Sequence, residues 1–475
     1  MTDAAAMPWS ADDRIALWGW GHEGRAAYAW IRVREPQRAL QLFVTPAELE
    51  SVAAEIEDPL LSVSAFESGT DFSPYAWVIK SPGISPNQPA VQAAIKNGTR
   101  FVGGTYLWAR AAREQSNVLA NTICVTGTKG KSTTSALTAH LLRCGGYRTL
   151  LAGNIGMPLL AVPDDATVQY RVIELSSYQT RDLADSGAHP AVAVVVNVFP
   201  EHLDWHGGEA QYVADKLTLL TQAAPHVAVI NAADVRLTAL ELPDSRVVQY
   251  GNPQGWHLRG DLLFKGDRQV MDTKDLPLPG RHNRGNLCAA LTAIEALGIA
   301  AEPLASHAAS FMPLPNRLQT MGARDGVRYV NDSIATTPHA TLAALSCYPD
   351  VPVAVIVGGH DRGLDWSGFA LAIEQGQAHP VQIVTMGQKG PQIADEIQTA
   401  CNAQGVKLDR AKDLAHAFAI AEQAVVQAGG GVVLMSPGAP SFDAYRDYVE
   451  RGKHFAQLAG FDPDRISSIQ GLGIA

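Results

Sequence analysis

The segment Ile123-Cys-Val-Thr-Gly127-Thr-Lys-Gly130-Lys131-Ser132-Thr133 limits the fold more than any other stretch of this chain. An apolar strand runs into a tight glycine loop, and a helix opening with Ser and Thr follows at once. Glycines let backbone N–H groups turn inward on an anion, and the helix N-terminus adds a partial positive charge. Lys131 would then reach terminal phosphates, and Ser132 or Thr133 would offer a hydroxyl to Mg²⁺. A chance Gly-Lys turn before a helix is the plain alternative, and the order strand, loop, helix favours phosphate. The common spacing GxxxxGK[ST] needs glycine at position 125, where Val125 stands. The shorter Gly-x-x-Gly-Lys-Ser spacing argues against an ordinary P-loop kinase or motor ATPase.

The rest of the chain has the same character. β-Branched runs at 14–18, 76–79, 122–125, 170–175, 191–198, 226–230, 351–357, 381–385 and 431–435 alternate with helical patterns at 132–144, 286–297 and 414–427. Such alternation implies βαβ units and parallel sheets. At roughly 150 residues per domain, 475 residues make about three domains. A polar stretch at 115–121 and the prolines of Phe311-Met-Pro-Leu-Pro-Asn316 mark the breaks. The expectation is an α/β protein of three domains, 1–116, 117–313 and 314–475, the outer two Rossmann-like and the central one a P-loop-type ATPase domain with a parallel sheet.

Composition narrows the setting. Lys plus Arg is 37 and Asp plus Glu is 47, so the net charge is 37 − 47 = −10. An acidic surface disfavours non-specific binding to nucleic acid or anionic membrane. The five cysteines are widely spaced without a CxxC pair, which argues against a disulfide scaffold or structural zinc. The start has no basic or apolar leader pattern, and no apolar run is long enough to span a bilayer. A soluble cytoplasmic protein with no nucleic-acid or membrane partner is expected.

Other residues are read next to the loop. Glu174 closes the apolar strand in Val172-Ile-Glu174-Leu-Ser-Ser177-Tyr-Gln179, where ligands of a doubly wound sheet bind. With Ser132 it could complete a Mg²⁺ shell. His202 lies in Phe-Pro-Glu201-His202-Leu-Asp204 after a further strand; alone, a loop histidine is more often a bystander. Lys216, in an amphipathic helix, reads as a surface lysine. Asn283 and Asn286 precede a helix, and capping accounts for one of them. Gly19-Trp-Gly21-His-Glu-Gly24 follows a strand and opens a helix, which suggests a dinucleotide site. The next strand, Gln41–Thr45, ends without the acid that NAD ribose requires, so diphosphate binding survives better than NAD binding.

The loop Gly127-Thr-Lys-Gly-Lys-Ser-Thr133 resembles the ATP loop of the Mur ligases, the cytoplasmic enzymes that add amino acids to the peptidoglycan precursor. The resemblance runs through nearly the whole chain and is greatest to the glutamate-adding branch. It implies ATP binding by Gly127, Thr128, Lys129, Gly130, Lys131, Ser132, Thr133, Asn286, Arg317 and Asp332, the last two from the Leu314-Pro-Asn-Arg317 and Asn331-Asp332-Ser333 turns. It implies Mg²⁺ at two sites, held by Ser132, Glu174, His202 and Lys216, with Lys216 carbamylated. Gly19, Gly21, Gly24, Ser81, Gly83, Asn154, Ser176 and Ser177 would bind the substrate UDP-N-acetylmuramoyl-L-alanine. Thr336, Arg362, Ser441, Phe442 and Tyr448 would bind glutamate, the planar fork of arginine suiting a carboxylate. Lys131, His202, Lys216 and Arg317 would be catalytic. A monomer serving cell-wall formation, cell shape and division is implied as well.

One departure bears on the amino acid. D-Glutamate enzymes of the family follow Asp-Ser with Lys-Ala-Thr-Asn, whereas this chain has Ile334-Ala-Thr336-Thr337-Pro338. A cation is replaced by an apolar residue, and proline restricts Thr337 before it. The expectation is L-glutamate, with D-glutamate as the alternative. A folylpolyglutamate synthase-like ligase would lack the Gly19–Gly24 domain. An NAD-dependent oxidoreductase would leave the phosphate loop unexplained, and a non-catalytic binding protein would leave the ordered set of loop, acid, histidine and lysine without a purpose.

Overall fold

The computed structural model describes residues 7–115 and 117–475. The first six residues, part of the start expected to lack a leader, and residue 116, the end of the expected first domain, lie outside the described residues. By contact the chain forms two compact units. One takes the chain up to Lys274 together with Gly285–Ala308 and Gly471–Ala475; the other takes Asp275–Arg284 and Ala309–Gln470.

The first unit contains a five-stranded parallel sheet in the order Leu61–Ala65, Leu40–Val44, Ile15–Trp18, Trp77–Lys80, Arg100–Val102. Alternate residues of one strand feed opposite cores. Ile15 and Leu17 pack with Ile31 and Leu42, while Ala16 and Trp18 pack with Phe43 and Phe72. Burial on both faces is what a parallel sheet covered by helices requires.

The same unit holds a seven-stranded sheet in the order Arg246–Tyr250, Val227–Asn231, Val192–Val195, Thr122–Thr126, Tyr170–Glu174, Thr149–Gly153, Gly473–Ile474. All but the last strand run parallel. Thr122–Thr126 lies between Val192–Val195 and Tyr170–Glu174, so its C-terminal end opens at a topological switch point, where ligands of such sheets bind. Strands Trp256–Arg259, Leu262–Lys265 and Arg268–Asp272 form an antiparallel sheet. Its hairpin turns carry Gly260 at φ 61° and Gly266 at φ 58°, the left-handed conformation that two-residue hairpin loops demand.

The second unit contains a six-stranded sheet in the order Gln319–Arg324, Val327–Asn331, Gly431–Met435, Val353–Gly358, Gln382–Met386, Lys407–Arg410, parallel except at its first strand.

One expectation needs amendment. The expected strand 191–198 ends at Val195, because Asn197 turns its side chain onto the glycine loop instead of continuing the ladder. The second compact unit holds most of the segment 314–475 and also takes in Asp275–Arg284 and Ala309 onward. It stops at Gln470, because Gly473–Ile474 pairs antiparallel with Leu150–Leu151 in the first unit.

Candidate functional site

The glycine loop joins Thr122–Thr126 to the helix Lys131–Cys144. Gly127 has φ 153° and Gly130, the N-cap, φ 82°, conformations that L side chains rarely adopt. A Cβ at Gly130 would come within 2.8 Å of Asn286 Oδ1, so the buried Asn286 packs on the loop itself. Asn283 and Asn286 both lie inside the helix Arg281–Ala296, so neither is its cap.

Asn197 clamps the loop from the neighbouring strand end. Its Oδ1 accepts from the backbone N–H groups of Thr128 at 3.1 Å and Lys129 at 2.9 Å, and its Nδ2 donates to the Lys129 carbonyl at 3.0 Å. Thr128 Oγ1 sits 2.6 Å from the hydroxyl of Tyr212 and donates to the Phe199 carbonyl at 3.0 Å.

Cations gather here. Lys131 Nζ donates to the Thr128 carbonyl at 2.9 Å, Lys129 Nζ to Glu201 at 2.6 Å, and Lys216 Nζ to the Gly127 carbonyl at 2.9 Å. The surface reading of Lys216 is wrong: it is 1% exposed, because the helix Glu209–Thr221 turns this face onto the loop. Burial, with Lys131 adding repulsion, lowers its amine to about 7.

Glu174 is buried at its strand end. Its Oε1 accepts from Asn154 Nδ2 at 2.8 Å, and its Oε2 is buried with no hydrogen-bond partner. A carboxylate oxygen of this kind suits a cation. His202 adopts a left-handed backbone, φ 55° and ψ 37°, and its side chain is half exposed. Partial burial, above all, and the lysines lower its pKa, which favours the neutral, ligating imidazole. Among the described residues, no group of three or more His, Cys, Asp or Glu side chains is placed to hold a metal.

Ser176 and Ser177, expected on the substrate, bond within the protein. Ser176 Oγ lies 2.9 Å from Gln179 Oε1, and Ser177 Oγ lies 3.0 Å from Nε2 of the buried His206, whose Nδ1 is 2.7 Å from Asp215. In the glycine motif, a Cβ at Gly19 would fall 2.5 Å from Ser81 Oγ and one at Gly24 2.0 Å from the Gly19 carbonyl, while Gly21 and Gly83 face open space. The motif and the Ser81–Gly83 turn are thus in contact, and Ser81 Oγ is buried without a partner. Gly83 accepts at its carbonyl from Trp205 Nε1 at 3.1 Å.

In the second unit, Arg317 is exposed on a turn whose flanking Asn316 and Leu318 both have left-handed φ, 59° and 46°. Asp332 accepts from Leu318 N–H at 3.1 Å and from Ser436 Oγ at 2.7 Å, so both oxygens hold loops together. Thr336 is half-buried, and the extended Thr337 caps the helix Pro338–Leu345 with its side chain. Arg362 is exposed, with its guanidinium 5.7 Å from the ring centre of Phe442. Ser441 is buried beside the exposed Phe442, and Tyr448 opens the helix Tyr448–Leu458.

A family model described as Mur ligase middle domain matches residues 125–294. Over 97% of its length the chain is 54% identical to UDP-N-acetylmuramoyl-L-alanine--L-glutamate ligase of Xanthomonas euvesicatoria pv. vesicatoria (strain 85-10), covering 98% of that protein. The chain belongs to the Mur ligase family. A protein of the same name from Xylella fastidiosa (strain Temecula1 / ATCC 700964) is 55% identical, with 97% of this chain and 98% of that one covered. Among solved structures, this Mur ligase is similar to MurF of Acinetobacter baumannii, with TM-score 0.56, 18% identity, and 84% and 93% of the two chains covered. It is also similar to UDP-N-acetylmuramate-alanine ligase of Thermotoga maritima, with TM-score 0.55, 16% identity, and 94% and 99% covered. At these identities the likeness is one of fold.

Several residues of the Mur ligase's site were not singled out from sequence. Asn197 fell within the expected strand 191–198 and Glu201 inside a quoted segment, both without a role, and their placement at the end of a strand of the loop's own sheet was the available signal. Tyr212 and His206 gave no local signal, since their partners Thr128 and Ser177 lie 84 and 29 residues away.

Proposed function

We propose that this Mur ligase joins L-glutamate to UDP-N-acetylmuramoyl-L-alanine at the expense of ATP. The gathering of Lys129 and Lys131 on the glycine loop, at the N-terminus of the helix Lys131–Cys144, carries the ATP reading, because it concentrates positive charge where a polyphosphate is cradled. The names of the full-length relatives and the Ile334–Pro338 segment support L-glutamate.

In this reading the γ-phosphoryl group passes to the carboxylate of the alanyl group. The amine of glutamate attacks the acyl phosphate, and phosphate leaves from a tetrahedral intermediate. Lys131 stabilises charge on the transferring phosphoryl group. Ser132 and Glu174 would hold one Mg²⁺, and His202 and Lys216 the other. Bound Mg²⁺ would neutralise phosphate charge and orient the acceptor carboxylate. The orphan oxygen of Glu174 fits such a cation. The Lys216 amine, largely uncharged above about pH 7, is the form that adds CO₂: an N–C bond forms, a proton leaves, and an anionic oxygen donor results. Arg317 and Asp332 are proposed nucleotide contacts carried by the second unit. The segments 1–116, 117–313 and 314–475 are proposed as the substrate, ATP and glutamate domains of a cytoplasmic monomer in cell-wall synthesis.

The test supplies the purified protein with ATP, Mg²⁺ and UDP-N-acetylmuramoyl-L-alanine, and with L- or D-glutamate separately, following phosphate release and product mass. Product with L-glutamate alone supports the reading. Product with D-glutamate alone overturns the enantiomer, and product with neither overturns the amino acid.

A further inference from the structure

Arg451 is among the largest fully buried side chains of the molecule, at 1% exposure, on the helix Tyr448–Leu458. Its Nε donates to Ser333 Oγ at 3.1 Å, its Nη2 to the carbonyls of Ser333 at 2.9 Å and Ala439 at 3.0 Å, and its Nη1 to the Pro440 carbonyl at 3.2 Å. Every one of these acceptors is neutral. Burial lowers the guanidinium to about 10, so it stays charged at neutral pH. Burying a cation is costly, and a chain that needed only packing here would do as well with an apolar side chain of similar volume.

What the cation holds is specific. Ser333 begins the turn that leads to Thr336, and Ala439–Pro440 leads into Ser441 and Phe442. The Pro440 carbonyl also accepts from His360 N–H at 2.8 Å, which ties in the loop bearing Arg362. The next residue, Gly452, extends the contact. A Cβ there would fall 1.8 Å from Asn316 Oδ1, which accepts from Asn331 Nδ2 at 2.9 Å beside Arg317. One helix turn therefore meets every loop of the second unit that carries an expected site residue.

We propose that Arg451 is a positioning residue for the amino-acid site, its guanidinium fixing the Ser333–Thr336 turn against the Ala439–Phe442 loop in the one placement that accepts glutamate. The inference rests on the glutamate-ligase reading above. Lysine keeps the charge but cannot reach four acceptors at fixed angles, since it lacks the planar fork. A merely structural arginine would lower stability and leave substrate constants alone.

The experiment measures KM for L-glutamate and for ATP, and kcat, in the full chain carrying R451K and separately S333A, well below each variant's Tm. Loosening the placement of a substrate-binding loop is expected to raise KM for glutamate roughly tenfold or more in R451K, with KM for ATP unchanged. In S333A, which loses a single acceptor, a rise of about two- to fivefold is expected. A wild-type KM for glutamate in R451K, with only a lower Tm, overturns the proposal. Should R451K fail to fold, S333A decides in the same way. A wild-type chain inactive with either enantiomer overturns the functional reading and this inference with it, whereas an active wild type with unmoved variants overturns this inference alone.

Discussion

Asn154 donates a 2.8 Å hydrogen bond to Oε1 of Glu174, and the other oxygen of that carboxylate is buried with no hydrogen-bond partner. One oxygen is oriented by an amide and the other is unpaired, an arrangement that in the proposed reading aims the carboxylate at a cation. Partners that orient a metal-binding carboxylate typically contribute about ten- to a hundredfold in metal affinity. Asn154→Ala is therefore expected to raise the Mg²⁺ concentration for half-maximal turnover by about that factor, and Glu174→Gln by more. An Mg²⁺ titration of phosphate release checks both. Unmoved midpoints would remove Glu174 from the cation site.

Lys131 bonds to the loop carbonyl of Thr128, a contact that a polyphosphate would replace. Removing its charge leaves the backbone amides but withdraws the cation proposed to meet developing phosphoryl charge. Lys131→Ala is expected to lower kcat by roughly 10²- to 10³-fold or more while the protein stays folded. Retained ATP-dependent turnover would sink the ligase mechanism.

These features were legible in sequence to different depths. The strand Thr122–Thr126 and the helix Lys131–Cys144 were readable because glycines, apolar run and helix start are all local signals. The antiparallel strands between Trp256 and Asp272 were not anticipated, although Gly260-Asp261 and Gly266-Asp267 are hairpin turns in plain view. Lys216 and Arg451 were beyond local reading altogether. Whether a helix face is wet or dry depends on what packs on it, and those partners, Gly127 and Ser333, lie 89 and 118 residues away. The return of Gly473–Ile474 to the first unit is non-local in the same sense.

His206 illustrates a network with a structural cost attached. Its ring is buried between Asp215 at 2.7 Å and Ser177 at 3.0 Å, and Asp215 also receives Gln211 at 2.7 Å and Arg181 at 2.9 Å. His206→Phe keeps the aromatic volume and strands two buried polar groups. A loss of about 2–4 kcal/mol is expected, mostly the penalty for leaving Ser177 and one oxygen of Asp215 unpaired. Denaturant unfolding of the variant checks it, and a change below about 0.5 kcal/mol would show that the network is rebuilt around water.

Glu23, in the glycine motif of the first unit, supplies a pH dependence of stability. Its carboxyl is raised from 4.5 to about 7, first by burial and then by Asp182, which burial in turn raises to about 6. Gln179 Nε2 lies 3.4 Å from Glu23 Oε1, the Gly103 N–H lies 3.1 Å from Asp182 Oδ1, and the buried Lys80 acts on Asp182 through its charge. The sign follows from proton binding. Between pH 4.5 and about 7 the folded chain holds a proton on Glu23 that the unfolded chain has lost, so stability falls as pH rises through this window. Below it both states are protonated, and above it both are ionised, so the loss is complete just above pH 7. Glu23→Gln carries a neutral group at every pH and is expected to flatten this fall and to raise Tm at pH 8.5 by a few degrees relative to wild type. At pH 4.5 the two proteins should differ little. Thermal unfolding across that range checks the slope, and parallel curves for the two proteins would mean that Glu23 is solvated and ionised at an ordinary pH.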